Sequence, residues 1–213
     1  SKPSVNDWYE AIKINYGVDY PGGKEEHFEP RPAVWDKMLH ILKYWLSKGV
    51  DGFRCDMAEM VPLAFWQYTS SRIRMEYPNA VFIAEIYKPE LYKDYLKGGF
   101  DFLYDKVGLY DCLRSVILED ADCFDISRAW QSLDGIDAHM LRFMENHDEQ
   151  RIASSFFAGD PGKGIPAVAV AALMHQGPFL IYNGQETGEK AEGVSGFSGN
   201  DGRSSIFDYG IMP

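Results

Sequence analysis

The chain has 213 residues, 46% of them hydrophobic, which is enough to bury a sizeable core, and its formal charge is −11 with the Lys and Arg residues scattered along it. That balance offers no basic face to neutralise phosphates and argues against nucleic acid as a partner. No run of 18 apolar residues exists and the opening SKPSVNDWYE resembles no leader peptide, so no membrane insertion is expected.

In chain order, residues 18–32 read as an irregular loop. Residues 33–48 follow as a helix, with Val34, Met38, Ile41, Leu42 and Trp45 on one face and Gly49 as its stop. A first apolar run, VDGFRCD at 50–56, precedes a helix over 63–76 that is bracketed by Pro62 and Pro78. Further runs are VFIAE at 81–85, FDFLY at 100–104, MLRFMEN at 140–146 and PFLIY at 178–182. Weaker helices are predicted at 89–96, 109–118, 126–133 and 166–175, and residues 184–202 read as a glycine-rich loop. Short apolar runs alternating with helical stretches are the pattern of βα units on a parallel sheet. An open doubly wound sheet and a (β/α)8 barrel both fit, although no glycine-rich phosphate loop follows the first run. Cys55, Cys112 and Cys123 form no disulfide framework or metal-like spacing, and Cys55 reads as a small buried strand residue.

Acidic residues end or closely follow three of the runs: Asp56, Glu85 and Asp148. In a parallel barrel the C-terminal strand ends open onto one face, which would bring these carboxylates together. Each alone reads more simply as a helix cap or a solvated loop acid. Together they match the needs of glycosidic cleavage with retention, where one carboxylate attacks the anomeric carbon and a second carboxylic acid protonates the departing oxygen. Arg54, two positions before Asp56 and on the same side of the strand, could keep that acid ionised. Glu85, flanked by Ala84 and Ile86, is the better-shielded candidate for the proton carrier. Asp148, beside His147, could bond sugar hydroxyls and stabilise oxocarbenium charge. An aromatic content of 15% would suit a site whose walls stack on sugar rings, although most rings are expected in the core.

On these residues the sequence resembles the α-amylase superfamily, glycoside hydrolase family 13. GFRCD at 52–56 is similar to the family's second short motif, FIAEIY at 82–87 to the third and FMENHD at 143–148 to the fourth. LIYNGQE at 180–186 resembles the end of the eighth barrel strand and DGRSSIFDY at 201–209 the loop after it, while DWYEAIKINYGVDY at 7–20 resembles the segment entering the fourth strand. The resemblance implies an α/β fold that is a partial (β/α)8 TIM barrel covering roughly the fourth to eighth strands. Residues 1–213 would be one partial catalytic domain, without the first three strands, the first motif or the C-terminal β domain. It further implies retaining hydrolysis of α-1,4-glucosidic bonds in starch-type glucans or malto-oligosaccharides. Asp56 would be the nucleophile, Glu85 the acid/base and Asp148 the transition-state partner, with Arg54 and His147 as the supporting pair.

Arg151 and Tyr87 are further substrate-binding candidates, Arg151 reading equally as a loop salt-bridge partner; Trp66 reads as core more than as a sugar platform. Glu59 and Met60 stand where many relatives carry Lys-His, which leaves substrate preference and the balance of hydrolysis and transfer open. An α-1,6-acting or transglycosylating relative, and a non-catalytic carbohydrate-binding homologue, are the alternatives. No organic cofactor is implied. Calcium is compatible with a longer protein, and Asp19, Asp105 and Asp160 are the loop acids here that could face a hard cation, solvated carboxylates being the simpler description. An arc of a barrel exposes two strand edges, so the isolated chain is expected to be inactive and open to self-association through those edges. The compartment is not legible.

Overall fold

The computed structural model describes residues 14–118, 120–192 and 203. A short antiparallel ribbon, β1 (Val18–Asp19) with β2 (Glu25–Glu26), occupies part of the segment read as irregular. Its strands are too short to show alternation, and it is closed by Asn15 and Asp19 side chains accepting from nearby backbone N–H groups.

The body is a parallel sheet of β3 (Gly52–Cys55), β4 (Val81–Ala84), β5 (Phe102–Tyr104), β6 (Met140–Phe143) and β7 (Phe179–Leu180), adjacent in the order in which they occur. A doubly wound sheet reverses its strand order at a switch point. Here the order never reverses, so the chain forms the barrel type of βα repeat, a partial TIM barrel. The connections carry helices α1 (Ala33–Leu46), α2 (Leu63–Glu76), α3 (Tyr92–Lys97), α4 (Asp111–Ile117), α5 (Phe124–Gln131) and α6 (Pro161–Leu173). Gly52 allows β3 and β4 to approach closely, because a Cβ there would lie 2.1 Å from the Val81 carbonyl oxygen.

One core cluster joins Trp35 and Leu39 of α1, Phe65, Trp66 and Ile73 of α2, and Phe82 and Leu103 of the sheet. A second joins Leu109, Leu113, Leu141, Phe143, Ala167 and Ala171 on the β6 side. The buried face of α1 differs from the expected one. Trp35, Leu39 and Leu46 are buried, whereas Ile41 and Trp45 are half exposed, because this helix carries apolar residues around much of its circumference and periodicity alone does not single out the packed stripe. Helix α6 begins five residues earlier than predicted: Pro161 occupies its first turn, the Asp160 side chain accepts from Gly162 N–H, and Pro166 is carried inside. Residues 106–110 form a π-helical turn ahead of α4. Among the described residues no helix is long and apolar enough to cross a membrane.

The loop acids differ in setting. Asp105 is buried: its Oδ1 accepts from Leu109 N–H at 2.9 Å and its Oδ2 from Arg142 Nε at 3.0 Å, which corrects its reading as a solvated carboxylate. Asp160 caps α6 and Asp19 closes a turn. Among the described residues no three His, Cys, Asp or Glu side chains gather as a metal-ligand set.

Candidate active site

Asp56 directly follows β3, Glu85 directly follows β4, Tyr104 ends β5, and Asp148 lies in the loop after β6, so all four stand at the C-terminal mouth of the arc. Alternation along β3 turns Arg54 inward beside them. Its Nη1 lies 2.5 Å from Asp56 Oδ1, its Nη2 lies 2.9 Å from Glu85 Oε1 and 3.8 Å from Asp148 Oδ2, and its Nε donates to the Tyr104 hydroxyl at 3.2 Å. One guanidinium thus gathers three carboxylates from three strand ends. Burial works against the Arg54 charge, but the bonds to Tyr104 and Asp56 and the charge of Glu85 outweigh it and push the group further up, so it stays a cation.

The three acids have unlike surroundings. Glu85 is 2% exposed, whereas the Asp56 and Asp148 side chains are 66% and 46% exposed. Glu85 Oε2 accepts from Met57 N–H at 2.7 Å and Oε1 from the Tyr87 hydroxyl at 2.6 Å. The two strand ends are also clasped through backbone, Glu85 N–H to the Cys55 carbonyl and Ala58 N–H to the Glu85 carbonyl. Asp148 is set by Asn146, whose Oδ1 accepts from the N–H groups of Asp148 and Glu149, and its Oδ2 lies 3.2 Å from His147 Nε2. Glu149 is tied down by the Tyr110 hydroxyl at 2.9 Å and by Lys106 at 3.3 Å.

Arg151 sits otherwise than the sequence suggested. Arg151 is fully buried, with its Nη1 donating to Glu145 Oε2 at 2.8 Å and its guanidinium over the Tyr182 ring, which leaves no surface for a ligand. Proximity to Asp148 in sequence misplaced it, and the salt-bridge alternative describes it. Burial pushes the Glu145 carboxyl up, while Arg151 and the Ile152 N–H pull it back. Tyr87 reaches the site, but its hydroxyl is spent on Glu85; burial first, then that bond, push the phenol well above its usual range. Trp66 is core, its Nε1 donating to the Ala58 carbonyl and its ring against Phe65 and Phe100. Glu59 turns inward, its Oε2 accepting from Tyr87 N–H at 3.1 Å, and Met60 is exposed. Of the segment 201–209, only Arg203 lies within the described residues, and its Nη1 reaches the Asp148 carbonyl at 3.5 Å.

Tyr104 was not singled out from sequence, yet its signal was present. Arg54 pairs with Ile83 and Ile83 with Phe102, and Tyr104 is two positions beyond Phe102, so it shares their face.

An arc of consecutive parallel strands thus carries three carboxylates around one arginine at its C-terminal mouth. The profile of the Alpha amylase catalytic domain matches residues 27–205, and the chain belongs to that family. It is 30% identical over 202 residues to Alpha-amylase 3 of Dictyoglomus thermophilum, covering 88% of this chain and 40% of that protein. It is 34% identical over 109 residues to an alpha-1,4-glucan:maltose-1-phosphate maltosyltransferase of Methylacidiphilum infernorum, covering 48% of this chain and 16% of that protein. Among solved structures, an alpha-amylase from Lactobacillus plantarum superposes with a TM-score of 0.63 at 27% identity, over 87% of this chain and 43% of that one. The chain therefore spans less than half the length of each of these relatives.

Proposed function

We propose that the protein carrying this chain is a retaining glycoside hydrolase acting on α-1,4-glucosidic bonds of starch-type glucans or malto-oligosaccharides, with residues 1–213 forming part of one catalytic barrel domain. The observation that carries the proposal is the Arg54 guanidinium spanning Asp56, Glu85 and Asp148. Holding Asp56 and Glu85 on neighbouring nitrogens of one group favours the close carboxyl spacing of retaining enzymes, roughly 5–5.5 Å, over the wider gap that accommodates a water in inverting ones. Exposed Asp56, fixed beside a cation, is the nucleophile. Shielded Glu85 delivers and recovers the proton. Asp148, oriented by Asn146 and His147, bonds sugar hydroxyls and meets the charge that develops at the anomeric carbon.

The alternative is glycosyl transfer, favoured by the maltosyltransferase relative, with Glu59 and Met60 leaving the balance of hydrolysis and transfer open. The test is release of reducing ends from soluble starch, compared with Asp56→Asn and Glu85→Gln at equal folded concentration. The proposal expects losses of several orders of magnitude in both variants. Activity that survives Asp56→Asn overturns it, and turnover that requires a sugar or phosphate acceptor instead of water selects the transferase reading.

A further inference from the structure

The two oxygens of Glu85 are not equivalent. Oε1 accepts the Tyr87 hydroxyl at 2.6 Å and lies 2.9 Å from Arg54 Nη2, whereas Oε2 accepts a single donor, Met57 N–H, at 2.7 Å. A carboxylate oxygen offers two lone-pair directions. Oε1 faces both the Tyr87 hydroxyl and the Arg54 cation, whereas Oε2 faces only a backbone N–H, so negative charge is best placed on Oε1 and the proton on Oε2. Both donors are themselves held. Tyr87 is anchored by its backbone N–H on the carboxylate of Glu59, a mostly buried side chain 3.5 Å from Lys88 Nζ. Met57 presents its N–H from a left-handed backbone, φ 41°.

On the reading that Glu85 is the acid/base, we propose that its transferable proton resides on Oε2 and that Tyr87 is a positioning residue that keeps it there by occupying Oε1. As the bond from the anomeric carbon to the leaving oxygen breaks, an Asp56 oxygen forms its bond to that carbon. The Glu85 Oε2 proton passes to the leaving oxygen, which departs as a neutral sugar hydroxyl, and Glu85 is left as a carboxylate. In the second half, a water oxygen displaces Asp56 from the anomeric carbon and gives its proton to Oε2, restoring the starting state. Without the Tyr87 hydroxyl on Oε1, the preference between the two oxygens weakens, and part of the population would carry its proton on Oε1.

The test is Tyr87→Phe, assayed in one sample on a malto-oligosaccharide, whose leaving sugar needs a proton, and on α-maltosyl fluoride, whose fluoride departs without one. Because both substrates meet the same preparation, the folded fraction cancels in the ratio. The expected result is a fall of about tenfold or more in kcat/KM on the oligosaccharide with the fluoride rate within about threefold of the parent. An equal fall on both substrates, or no change on either, overturns the positioning role. Failure of the unsubstituted protein to cleave either substrate instead overturns the functional reading, and this inference with it.

Discussion

Arg142 lies within β6, all four residues of which are buried, and it holds three partners: Asp105 Oδ2 at 3.0 Å, Asp137 Oδ1 at 2.6 Å and the Met174 carbonyl at 3.3 Å. Replacing it with Met retains much of the volume and removes the charge. Asp105, whose side chain is 0% exposed, then keeps only the Leu109 N–H. Breaking one side of a buried pair costs about 3–5 kcal/mol, because the remaining charge has lost its compensation. For a chain of this size each kcal/mol moves Tm by about 2–4 °C, so Arg142→Met should melt about 6–20 °C below the parent. The sign with pH follows from Asp105. Burial already pushes its carboxyl up, with the Leu109 N–H and Arg142 opposing. Without Arg142 the folded carboxyl binds its proton still more tightly than the unfolded one, so the deficit is full above the folded pKa and shrinks as pH falls through it. Urea titrations of both proteins at pH 8 and pH 5 measure this, with the slope m checked for constancy. A second change, Asp105→Asn, should recover part of the loss at pH 8. Arg142→Met within about 1 kcal/mol of the parent at pH 8, or a deficit that grows toward pH 5, would refute the reasoning.

The cysteines should label in the order Cys123, Cys112, Cys55. Cys123 is exposed, and burial pushes the Cys55 thiol up to about 12, leaving about one part in ten thousand as the reactive thiolate at pH 8; rapid alkylation of Cys55 in the native protein, read by peptide mass, would contradict its placement. Met57 adopts φ 41°, a region that a β-branched side chain tolerates poorly and glycine readily. Met57→Ile should therefore be about 1–2 kcal/mol less stable than Met57→Gly by urea titration, and equal stability would sink the backbone assignment.

Legibility of the fold followed the strength of local signals. Helix α2 matches its expected bounds because Pro62 and Pro78 bracket it. All five apolar runs became strands in the expected order, though β7 narrowed to two residues because sheet pairing, which sequence does not display, ends there. The barrel could not be chosen over the open sheet by periodicity; strand order decided it. In the site, side chains at strand ends were legible because alternation and the C-terminal rule fix where they point. What stayed hidden depends on backbone donors and on loops folding back: the Met57 N–H on Glu85, the inward turn of Glu59, and the withdrawal of Arg151 onto Glu145.

The central claim is that Asp56 forms a covalent bond to the sugar, and trapping tests it most directly. Incubation with a 5-fluoro-α-glycosyl fluoride, which slows the second half of a retaining reaction more than the first, is followed by intact mass and peptide mapping. The account predicts one sugar per protein on the peptide containing Asp56, absent in Asp56→Asn; an adduct on Glu85 or Asp148 would contradict it, as would turnover of starch with an inverted anomeric product.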